Sequence, residues 1–309
     1  MDTNRYQTIK DAVVQNCAKV ITGKDEAIEN ILIALIAGGH VLLEDLPGTG
    51  KTMLARAFSA SVDASFKRIQ FTPDLMPSDL TGINFYNQKN GEFEFRKGPL
   101  FTNIVLADEI NRATPRTQSA LLEAMEEKQI TVDGETYSLE EPFMVIATEN
   151  PLESCGTFPL PEAQVDRFLM RLSLGYMNRE EELSVLKRQD SKTIVSSLSG
   201  VLNHDTLNEL KEACRSVTVS EETGSYLMDF IEATRNDTGI TCGVSTRGAL
   251  ALYHASQVRA MLNCRDYVIP EDIKHLAKPV CAHRLSVSKT NAESMIDEMF
   301  KTIQAPVES

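Results

Sequence analysis

Residues 42–52 read LLEDLPGTGKT, an apolar run followed by a glycine-rich turn, a lysine and a hydroxyl residue. In such a turn the backbone N–H groups converge on an anion, and the helix that follows offers its positive end to the same charge. Lys51 would then bridge the β- and γ-phosphates of a nucleotide, while the Thr52 hydroxyl would bind Mg²⁺. The stretch therefore predicts a loop that holds a nucleoside triphosphate.

One residue departs from the usual phosphate-loop pattern G-x-x-x-x-G-K-[ST]. Asp45 stands where the first glycine is expected, so Pro47, Gly48 and Gly50 must shape the turn. An isolated G-x-G-K-T could also be an ordinary turn before a helix. The nucleotide contacts that we predict in this loop are Pro47, Gly48, Thr49, Gly50, Lys51, Thr52 and Met53.

Composition limits the class of protein. The chain has 309 residues, of which 42% are hydrophobic, and its 44 acidic and 31 basic residues give a net charge of -13. This charge disfavours nucleic acid as a partner, because proteins that coat nucleic acid are basic. No apolar stretch is as long as a membrane span, and the first residues lack the pattern of a secretion signal. We expect a soluble cytoplasmic protein without membrane insertion.

A second motif carries two carboxylates. Residues 103–107 form an apolar run that is followed directly by Asp108 and Glu109. Such a run is typical of a buried parallel strand, and ligands bind at the carboxyl ends of these strands. Asp108 would hold the hydration shell of Mg²⁺, and Glu109 would polarise the water that attacks the γ-phosphate. The alternative is a strand that leads into a solvated helix, whose N-terminus favours acidic residues anyway.

A further apolar run, residues 143–148, leads to Asn150. The Asn150 amide could donate a hydrogen bond to the γ-phosphate and orient the attacking water. A turn asparagine before a proline is the alternative, and spacing alone favours that alternative.

The order of elements predicts a three-layer α/β/α fold. Five segments have strand character: 40–43, 66–70, 103–107, 143–148 and 169–174. Segments 50–60 and 114–127 have helical periodicity, so strands and helices alternate as in a mostly parallel sheet. Asn-Gly within 86–93 and Asp-Gly within 129–137 predict two β-hairpins. The chain becomes helical in character from Arg179, so we predict an α/β domain over 1–176 and a small all-helical domain over 177–309.

Taken in order, these motifs resemble those of the MoxR family of AAA+ ATPases. The similarity covers nearly the full chain and includes Asp45, which MoxR-like sequences often have. Its other carriers are FTPDLMPSD (71–79), ADEINRA (107–113), TQSALLEAM (117–125), GTFPLPEAQ (156–164) and YVIPED (267–272). The resemblance implies a P-loop AAA+ core with a five-stranded sheet, a helical lid domain, and hydrolysis of ATP with Mg²⁺.

The resemblance also implies roles for single residues. Asn150 matches the first sensor, and Arg167 matches the arginine finger that reaches the γ-phosphate of a neighbouring subunit. Arg247 matches the second sensor, which places a lid guanidinium on the nucleotide, although Thr246 replaces the proline that is usual before it. Val20 and Ile21 fall where the family's chain crosses the adenine.

Arg167 has other possible interpretations. It could pair with Asp166 or Glu162 within one subunit, and Arg171 is close enough in sequence to be the finger instead. The family match favours Arg167, since a planar guanidinium suits the charge that develops on a phosphoryl group.

The resemblance further implies partners. It leads us to expect a ring homo-oligomer, with a hexamer as the family expectation. The ring would use ATP for chaperone-like remodelling or maturation of client proteins, such as metal-cofactor insertion. Client or adaptor proteins with a von Willebrand factor A domain are implied. The alternatives are a nucleic-acid-dependent, helicase-like motor and a scaffold that binds ATP without turnover. The hairpins could face a substrate or be purely architectural.

Overall fold

The computed structural model describes residues 3–45, 48–150, 156–187, 195, 197–287 and 291–306. Its first part contains a five-stranded sheet in which all adjacent pairs are parallel. In spatial order the strands are β2 (Phe66–Gln70), β5 (Ile104–Asp108), β8 (Met144–Glu149), β1 (Val41–Glu44) and β9 (Met170–Leu172). The five predicted strands are therefore confirmed, with shifts of at most two residues at their ends.

Apolar residues cover both faces of this sheet. Leu106 and Ile146 belong to one buried cluster, whereas their neighbours Val105 and Val145 belong to a second cluster on the other face. Successive side chains of a strand point to opposite faces, so a continuous apolar run buries both of them. This burial explains why the central strands lack the alternation of a half-exposed sheet.

The helices of this part are α1 (Thr3–Ala18), α2 (Asp25–Ile36), α3 (Lys51–Ser61), α4 (Pro77–Thr81), α5 (Pro115–Glu127) and α6 (Glu162–Val165), with a 3₁₀ turn at Ile110–Arg112. Helices α3 and α5 confirm the predictions for 50–60 and 114–127. Helix α5 begins with Pro115, whose fixed φ angle suits the first helical position. It ends at Lys128, which has a left-handed conformation with φ of 50°.

Two hairpins extend from the core. Strands β3 (Gly82–Asn87) and β4 (Glu92–Lys97) form one, and β6 (Gln129–Val132) and β7 (Glu135–Ser138) form the other. Both were predicted. The hairpins touch each other, because the Asn84 side-chain amide donates a hydrogen bond of 2.8 Å to the Asp133 carboxylate.

The second part is helical, as predicted, with one difference. Its helices are α7 (Arg179–Lys187), α8 (His204–Cys214), α9 (Glu221–Asn236), α10 (Thr246–Leu262), α11 (Pro270–Cys281) and α12 (Ala292–Thr302), with a 3₁₀ turn at Ala282–Arg284. The difference is a two-stranded antiparallel ladder of β10 (Ile240–Cys242) and β11 (Ser286–Val287). These strands are too short to show a period of two in the sequence. The boundary after residue 176 stays a prediction.

The helical part packs against the amino-terminal helices. Helix α10 contacts both α1 and α2, and residues from all three share one buried cluster. The carbonyls of Phe168 and Leu169, just before β9, accept hydrogen bonds from Arg284 at 2.7 and 3.1 Å. The helical part therefore contacts the sheet at its edge strand β9. Among the described residues, none of the helices has the length and apolarity that crossing a bilayer requires.

Candidate functional site

The glycine-rich turn lies between β1 and α3, as predicted. Gly48 and Gly50 have φ angles of +85° and +90°, in the left-handed region that favours glycine. Gly50 directly precedes α3, so the free N–H groups of the helix start at the turn. The predicted contact Pro47 lies outside the described residues. The local backbone therefore has the conformation that a phosphate-binding loop needs.

Lys51 joins this turn to the acidic motif. Its Nζ donates a hydrogen bond of 2.8 Å to the carbonyl oxygen of Asp45. Burial lowers the pKa of Lys51, while the nearby charges of Asp45, Asp108 and Glu109 act in the opposite direction. The loop lysine, the predicted metal ligand Asp108 and the predicted catalytic Glu109 thus share one electrostatic environment.

Asp45 has a structural role that explains why it replaces glycine. Its carboxylate is buried and accepts hydrogen bonds from the Ser173 hydroxyl at 2.8 Å and from the backbone N–H groups of Leu174 at 2.5 Å and Gly175 at 3.0 Å. A glycine could accept none of these bonds. Asp45 therefore ties the start of the phosphate loop to the segment that follows β9.

The same segment is held from its other side by Lys24, which the sequence analysis did not single out. Lys24 is only 7% exposed, and its Nζ donates to the carbonyls of Leu174 at 2.5 Å and Tyr176 at 3.1 Å. A buried lysine is uncommon unless it is paired. Here the backbone carbonyls of Leu174 and Tyr176 stabilise the charge of Lys24. In return, Lys24 fixes the position of the segment that follows β9.

Asp108 is buried at the carboxyl end of β5, and both of its carboxylate oxygens are bound. Oδ1 accepts a hydrogen bond of 2.7 Å from the Thr148 hydroxyl. Oδ2 accepts two from Arg68, at 2.9 Å from Nε and 2.6 Å from Nη2. Thr148 in turn accepts the backbone N–H of Glu109 at 2.8 Å, which orders the junction between the two acidic residues.

Glu109 adopts a left-handed conformation with φ of 58°. Its Oε2 accepts a hydrogen bond of 2.7 Å from Gln70 and lies 3.3 Å from Nη1 of Arg112. The short 3₁₀ turn Ile110–Arg112 follows Glu109, and helix α5 begins only at Pro115. Arg68 and Gln70 were not predicted from the sequence. They could have been found from their spacing of two within the predicted strand 66–70, which places both side chains on one face.

Asn150 is buried and directly follows β8, which lies between β5 and β1 in the sheet. Its neighbour Glu149 is paired with Glu44 across the strands. Burial and the Glu44 charge raise the pKa of Glu149 to about 7, against the opposing influence of Arg171. Arg171 lies 3.0 Å from Glu44, so it is engaged at this edge of the sheet. The structure thus places Asn150 among the polar residues of the carboxyl edge.

The residues present suit a magnesium ion. Thr52 and Asp108 offer a hydroxyl and a carboxylate oxygen, which are hard ligands. In the described part of the chain, no group of three or more histidine, cysteine or acidic side chains could hold a metal by itself. Mg²⁺ in nucleotide sites is held by one or two protein oxygens together with phosphate and water. Thr52 and Asp108 would be those protein ligands.

The residues expected near the base also lie beside the loop. Val20 and Ile21 are 6% and 4% exposed. The Ile21 Cδ1 atom is 3.3 Å from the position that a Cβ on Gly50 would occupy, so this side chain packs against the turn. Met53, in the first turn of α3, packs against the same buried cluster. These residues provide an apolar wall next to the phosphate loop.

The two predicted arginines meet at one carboxylate, that of Glu126. Arg167 Nη2 lies 3.1 Å from Oε2, and Arg247 Nη2 lies 2.6 Å from Oε1. Next to Glu126, the Met125 carbonyl binds His40 Nε2 at 3.0 Å, and His40 directly precedes β1. This arginine pair therefore lies at the amino ends of the strands.

The position of Arg247 bears on its predicted role at the nucleotide. The phosphate loop begins at the opposite end of β1, whose four residues span about 13 Å. The contact of Arg247 with a nucleotide stays a prediction, and in this arrangement its guanidinium is paired with Glu126. The reason is the docking of α10, because its capping residue Ser245 donates a hydrogen bond of 3.1 Å to Asp166. This contact places the first turn of α10, which contains Arg247, beside Glu126.

The proposed intramolecular partners of Arg167 were wrong. Asp166 binds Arg284 Nε at 2.6 Å, and the carboxylate of Glu162 accepts the Ser286 hydroxyl. Arg167 instead pairs with Glu126, which is more than thirty residues away in sequence. The sequence pattern could not indicate this partner, since the contact arises from the packing of α5 beside the start of β9.

Comparisons with known proteins agree with this architecture. A family model described as the ATPase family associated with various cellular activities (AAA) matches residues 40–170, and one described as the AAA lid domain matches 232–306. The chain is 37% identical to Chaperone MoxR1 of Mycobacterium tuberculosis, over 93% of this chain and 80% of that protein. It is 30% identical to Protein MoxR of Paracoccus denitrificans, over 93% of each.

Two further relatives cover almost the whole chain. The uncharacterized protein YeaC of Bacillus subtilis is 47% identical, over 96% of this chain and 94% of that protein. A crystal structure of a candidate ATPase from Cytophaga hutchinsonii superposes with a TM-score of 0.91 at 38% identity, covering 99% of this chain and 97% of that chain. The similarity therefore includes the packing of both parts of the molecule.

Proposed function

Since this chain belongs to the MoxR family of AAA+ ATPases, we propose that it binds ATP with Mg²⁺ and hydrolyses the γ-phosphate. The observation that carries this proposal is the common environment of Lys51, Asp108 and Glu109 beside the glycine turn. A phosphate-binding cation, a metal-binding carboxylate and a second carboxylate are the groups that this reaction needs.

Each residue has a defined part in the proposed reaction. Lys51 would leave the Asp45 carbonyl to bind the β- and γ-phosphates, and Thr52 and Asp108 would hold the magnesium ion. When bound, the ion neutralises charge that develops on the phosphate oxygens. Glu109 would take a proton from the attacking water, and Asn150 would orient the γ-phosphate.

Glu109 is held in place in the described arrangement. Its Oε2 accepts the Gln70 hydrogen bond and lies close to Arg112, whereas a carboxylate has two oxygens with which it can accept hydrogen bonds or a proton. We infer that Gln70 and Arg112 position Glu109 at the carboxyl end of β5.

The arginine pair supports assembly. Arg167 and Arg247 pair with Glu126, whose neighbour Met125 binds His40 at the start of β1, and the phosphate loop follows the other end of that strand. We propose a homo-oligomeric ring, with six subunits, in which both guanidinium groups complete the neighbouring site. Hydrolysis would then depend on assembly.

The work performed by hydrolysis would be chaperone-like. One relative is named a chaperone, and the β3–β4 hairpin exposes Phe93 by 75% and Tyr86 by 54%, in edge-to-face contact at 5.4 Å. Exposed aromatic pairs of this kind favour contact with other proteins. We propose that the ring remodels or matures client proteins in the cytoplasm, including metal-cofactor insertion, with adaptors that carry a von Willebrand factor A domain.

The test is steady-state phosphate release from Mg-ATP, together with calorimetric titration of the nucleotide. Glu109→Gln should bind ATP with nearly normal affinity and lose nearly all turnover, whereas the exposed Glu140→Gln is the control and should behave as wild type. Absence of ATP binding by the wild-type protein would refute the proposal. ATP binding with negligible turnover, even with a partner present, would support the scaffold alternative instead.

A further inference from the structure

Glu126 holds two arginines that come from different parts of the molecule. Its Oε2 lies 3.1 Å from Nη2 of Arg167, and its Oε1 accepts a hydrogen bond of 2.6 Å from Nη2 of Arg247. Arg167 lies between α6 and β9, whereas Arg247 belongs to the first turn of α10. Each carboxylate oxygen therefore contacts one guanidinium, and one side chain sets the spacing between an arginine of the α/β part and an arginine of the helical part.

The position of Glu126 does not favour its own helix. Helix α5 ends at Glu127, and its last turns contain Glu123, Glu126 and Glu127 but no basic residue. The carboxyl end of a helix carries partial negative charge, which disfavours acidic side chains there. Arg167 and Arg247 compensate the charge of Glu126 from outside the helix. A carboxylate at residue 126 is therefore explained by its two partners rather than by the stability of α5.

Most N–H groups of the two guanidinium groups stay available to a further ligand. Arginine has five N–H donors in a fixed fork, and Arg167 and Arg247 each use only Nη2 toward Glu126. Within the described residues, their guanidinium groups have no other acceptor. The side chains are 32% and 51% exposed, so phosphate oxygens can reach them from solvent. Both arginines can thus bind an anion on one side while Glu126 holds them on the other.

Charge explains why a carboxylate is needed between these groups. The two guanidinium groups repel each other, and both belong to long side chains that water can solvate separately. Glu126 opposes this repulsion, yet one carboxylate against two cations leaves the three side chains with a positive charge. The ion pairs are partly exposed and therefore weak, so phosphate oxygens can compete with Glu126 for either arginine. Glu126 thus brings the cations together without preventing their use.

We propose that Glu126 is a positioning residue that holds Arg167 and Arg247 as one unit, which the chain presents to the triphosphate of a neighbouring copy. This inference rests on the proposed homo-oligomeric ATPase. Without Glu126, the two arginines would reach the phosphates independently, because they belong to different parts of the chain. With Glu126, both side chains are ordered together before the reaction, which lowers the entropy that the transition state must lose.

The first test separates turnover from nucleotide binding. Phosphate release from Mg-ATP gives kcat, and calorimetric titration gives the Kd for ATP. Glu126→Gln keeps the shape of the side chain but removes its charge, so kcat should fall by about three- to tenfold, a modest factor because exposed ion pairs are weak. The Kd should not change, since both arginines act on the site of another copy. Glu126→Asp keeps the charge on a shorter side chain, and its kcat should lie between those of Glu126→Gln and wild type.

Glu127→Gln is the matched control. It removes the same charge from the adjacent residue, which is exposed and has no ion pair within the described residues. Its kcat should equal that of wild type. An unchanged or increased kcat in Glu126→Gln would overturn the inference, as would an equal decrease in Glu127→Gln. Thermal unfolding shows whether each variant is folded, and Glu126→Asp serves if Glu126→Gln is not.

A second test asks on which side of the subunit interface Glu126 acts. In mixed oligomers of Arg167→Ala and Glu109→Gln, the active interfaces combine the Glu109 of the first variant with the arginines of the second. Glu126→Gln added to the Glu109→Gln chain should lower the activity of the mixture, because that chain supplies the arginines. The same change added to the Arg167→Ala chain should leave the activity unchanged. A general effect of Glu126 on folding would lower both.

The outcomes distinguish this inference from the function on which it rests. If wild type binds no ATP, or if the mixture of Arg167→Ala and Glu109→Gln is inactive, the proposed function fails and takes this inference with it. If wild type and the mixture both hydrolyse ATP but the two placements of Glu126→Gln give equal activity, only this inference fails.

Discussion

The side-chain amide of Gln70 donates a hydrogen bond of 2.7 Å to the carboxylate of Glu109. This contact engages one of the two carboxylate oxygens of the proposed catalytic base. Its donor lies on the neighbouring edge strand and is 39 residues away in sequence. The proposed catalytic base is therefore held by a residue outside both nucleotide motifs.

Removal of this donor should raise basal activity. We predict that Gln70→Ala increases the ATPase rate without partner severalfold, with little change in nucleotide affinity, because the amide holds Glu109 and does not contact the loop. Phosphate release and calorimetry measure the two quantities. The control is Gln88→Ala, an exposed position on the β3–β4 hairpin, which should leave both unchanged. A Gln70→Ala variant with reduced turnover would show that the amide assists catalysis.

The arginine pair should act between subunits. Arg167→Ala and Arg247→Ala should each bind ATP and lose turnover, on the order of a thousandfold for a finger arginine. Mixing Arg167→Ala with Glu109→Gln should restore part of the activity, since some mixed interfaces then combine an intact base with an intact arginine. If the mixture is as inactive as either variant, although light scattering shows mixed oligomers, the arginine does not act across subunits.

Asp45 should stabilise the fold through its three donors. Asp45→Asn keeps the size of the side chain but removes its charge. It also replaces one accepting carboxylate oxygen with an NH₂ group, which would face the N–H and O–H groups that now donate to Asp45. We predict a free energy of unfolding that is lower by about 2–3 kcal/mol, since hydrogen bonds to charged groups each contribute about 1.5–3 kcal/mol. Denaturant unfolding checks this value. Asp229→Asn, at an exposed site on α9, is the control, and an equal loss there would argue against a special role for Asp45.

Glu149 should make stability depend on pH. Burial and Glu44 raise its pKa from 4.5 to about 7, so between these pH values the folded chain binds more protons at this site than the unfolded chain. The contribution of Glu149 to the free energy of unfolding therefore falls as the pH rises through this window. Glu149→Gln should remove that decrease, and it should be more stable than wild type above pH 7. The measurement is the free energy of unfolding from pH 4.5 to 8, with Glu140→Gln as the control. The same dependence of this free energy on pH in Glu149→Gln and Glu140→Gln would contradict the prediction.

Local chemistry in the sequence was enough to predict much of the fold. The buried strands ending at Asp108 and Glu149 are continuous apolar runs, and the glycine turn before Lys51 needs left-handed backbone angles. These features depend on neighbouring residues in the chain, because a strand, a turn and a helix start are each specified over a few positions. The polar residues at the strand ends could be placed at one edge because the carboxyl ends of parallel strands meet there.

The partners of the site residues could not be predicted in the same way. Arg68 reaches Asp108 and Glu126 reaches Arg247 only because separate elements pack side by side, over sequence separations of 40 and 121 residues. The role of Asp45 likewise becomes visible only when the segment after β9 returns to the loop.

The sequence by itself thus indicated which residues could take part in the chemistry, because these residues belong to short motifs whose local structure is set by neighbouring positions. The pairing of Arg247 with Glu126 was decided by packing, because Ser245 and Arg284 both bind Asp166 and dock the helical part beside the start of β9. That orientation depends on hydrogen bonds and buried apolar area between distant segments, and these are properties of the packed molecule rather than of any stretch of its sequence.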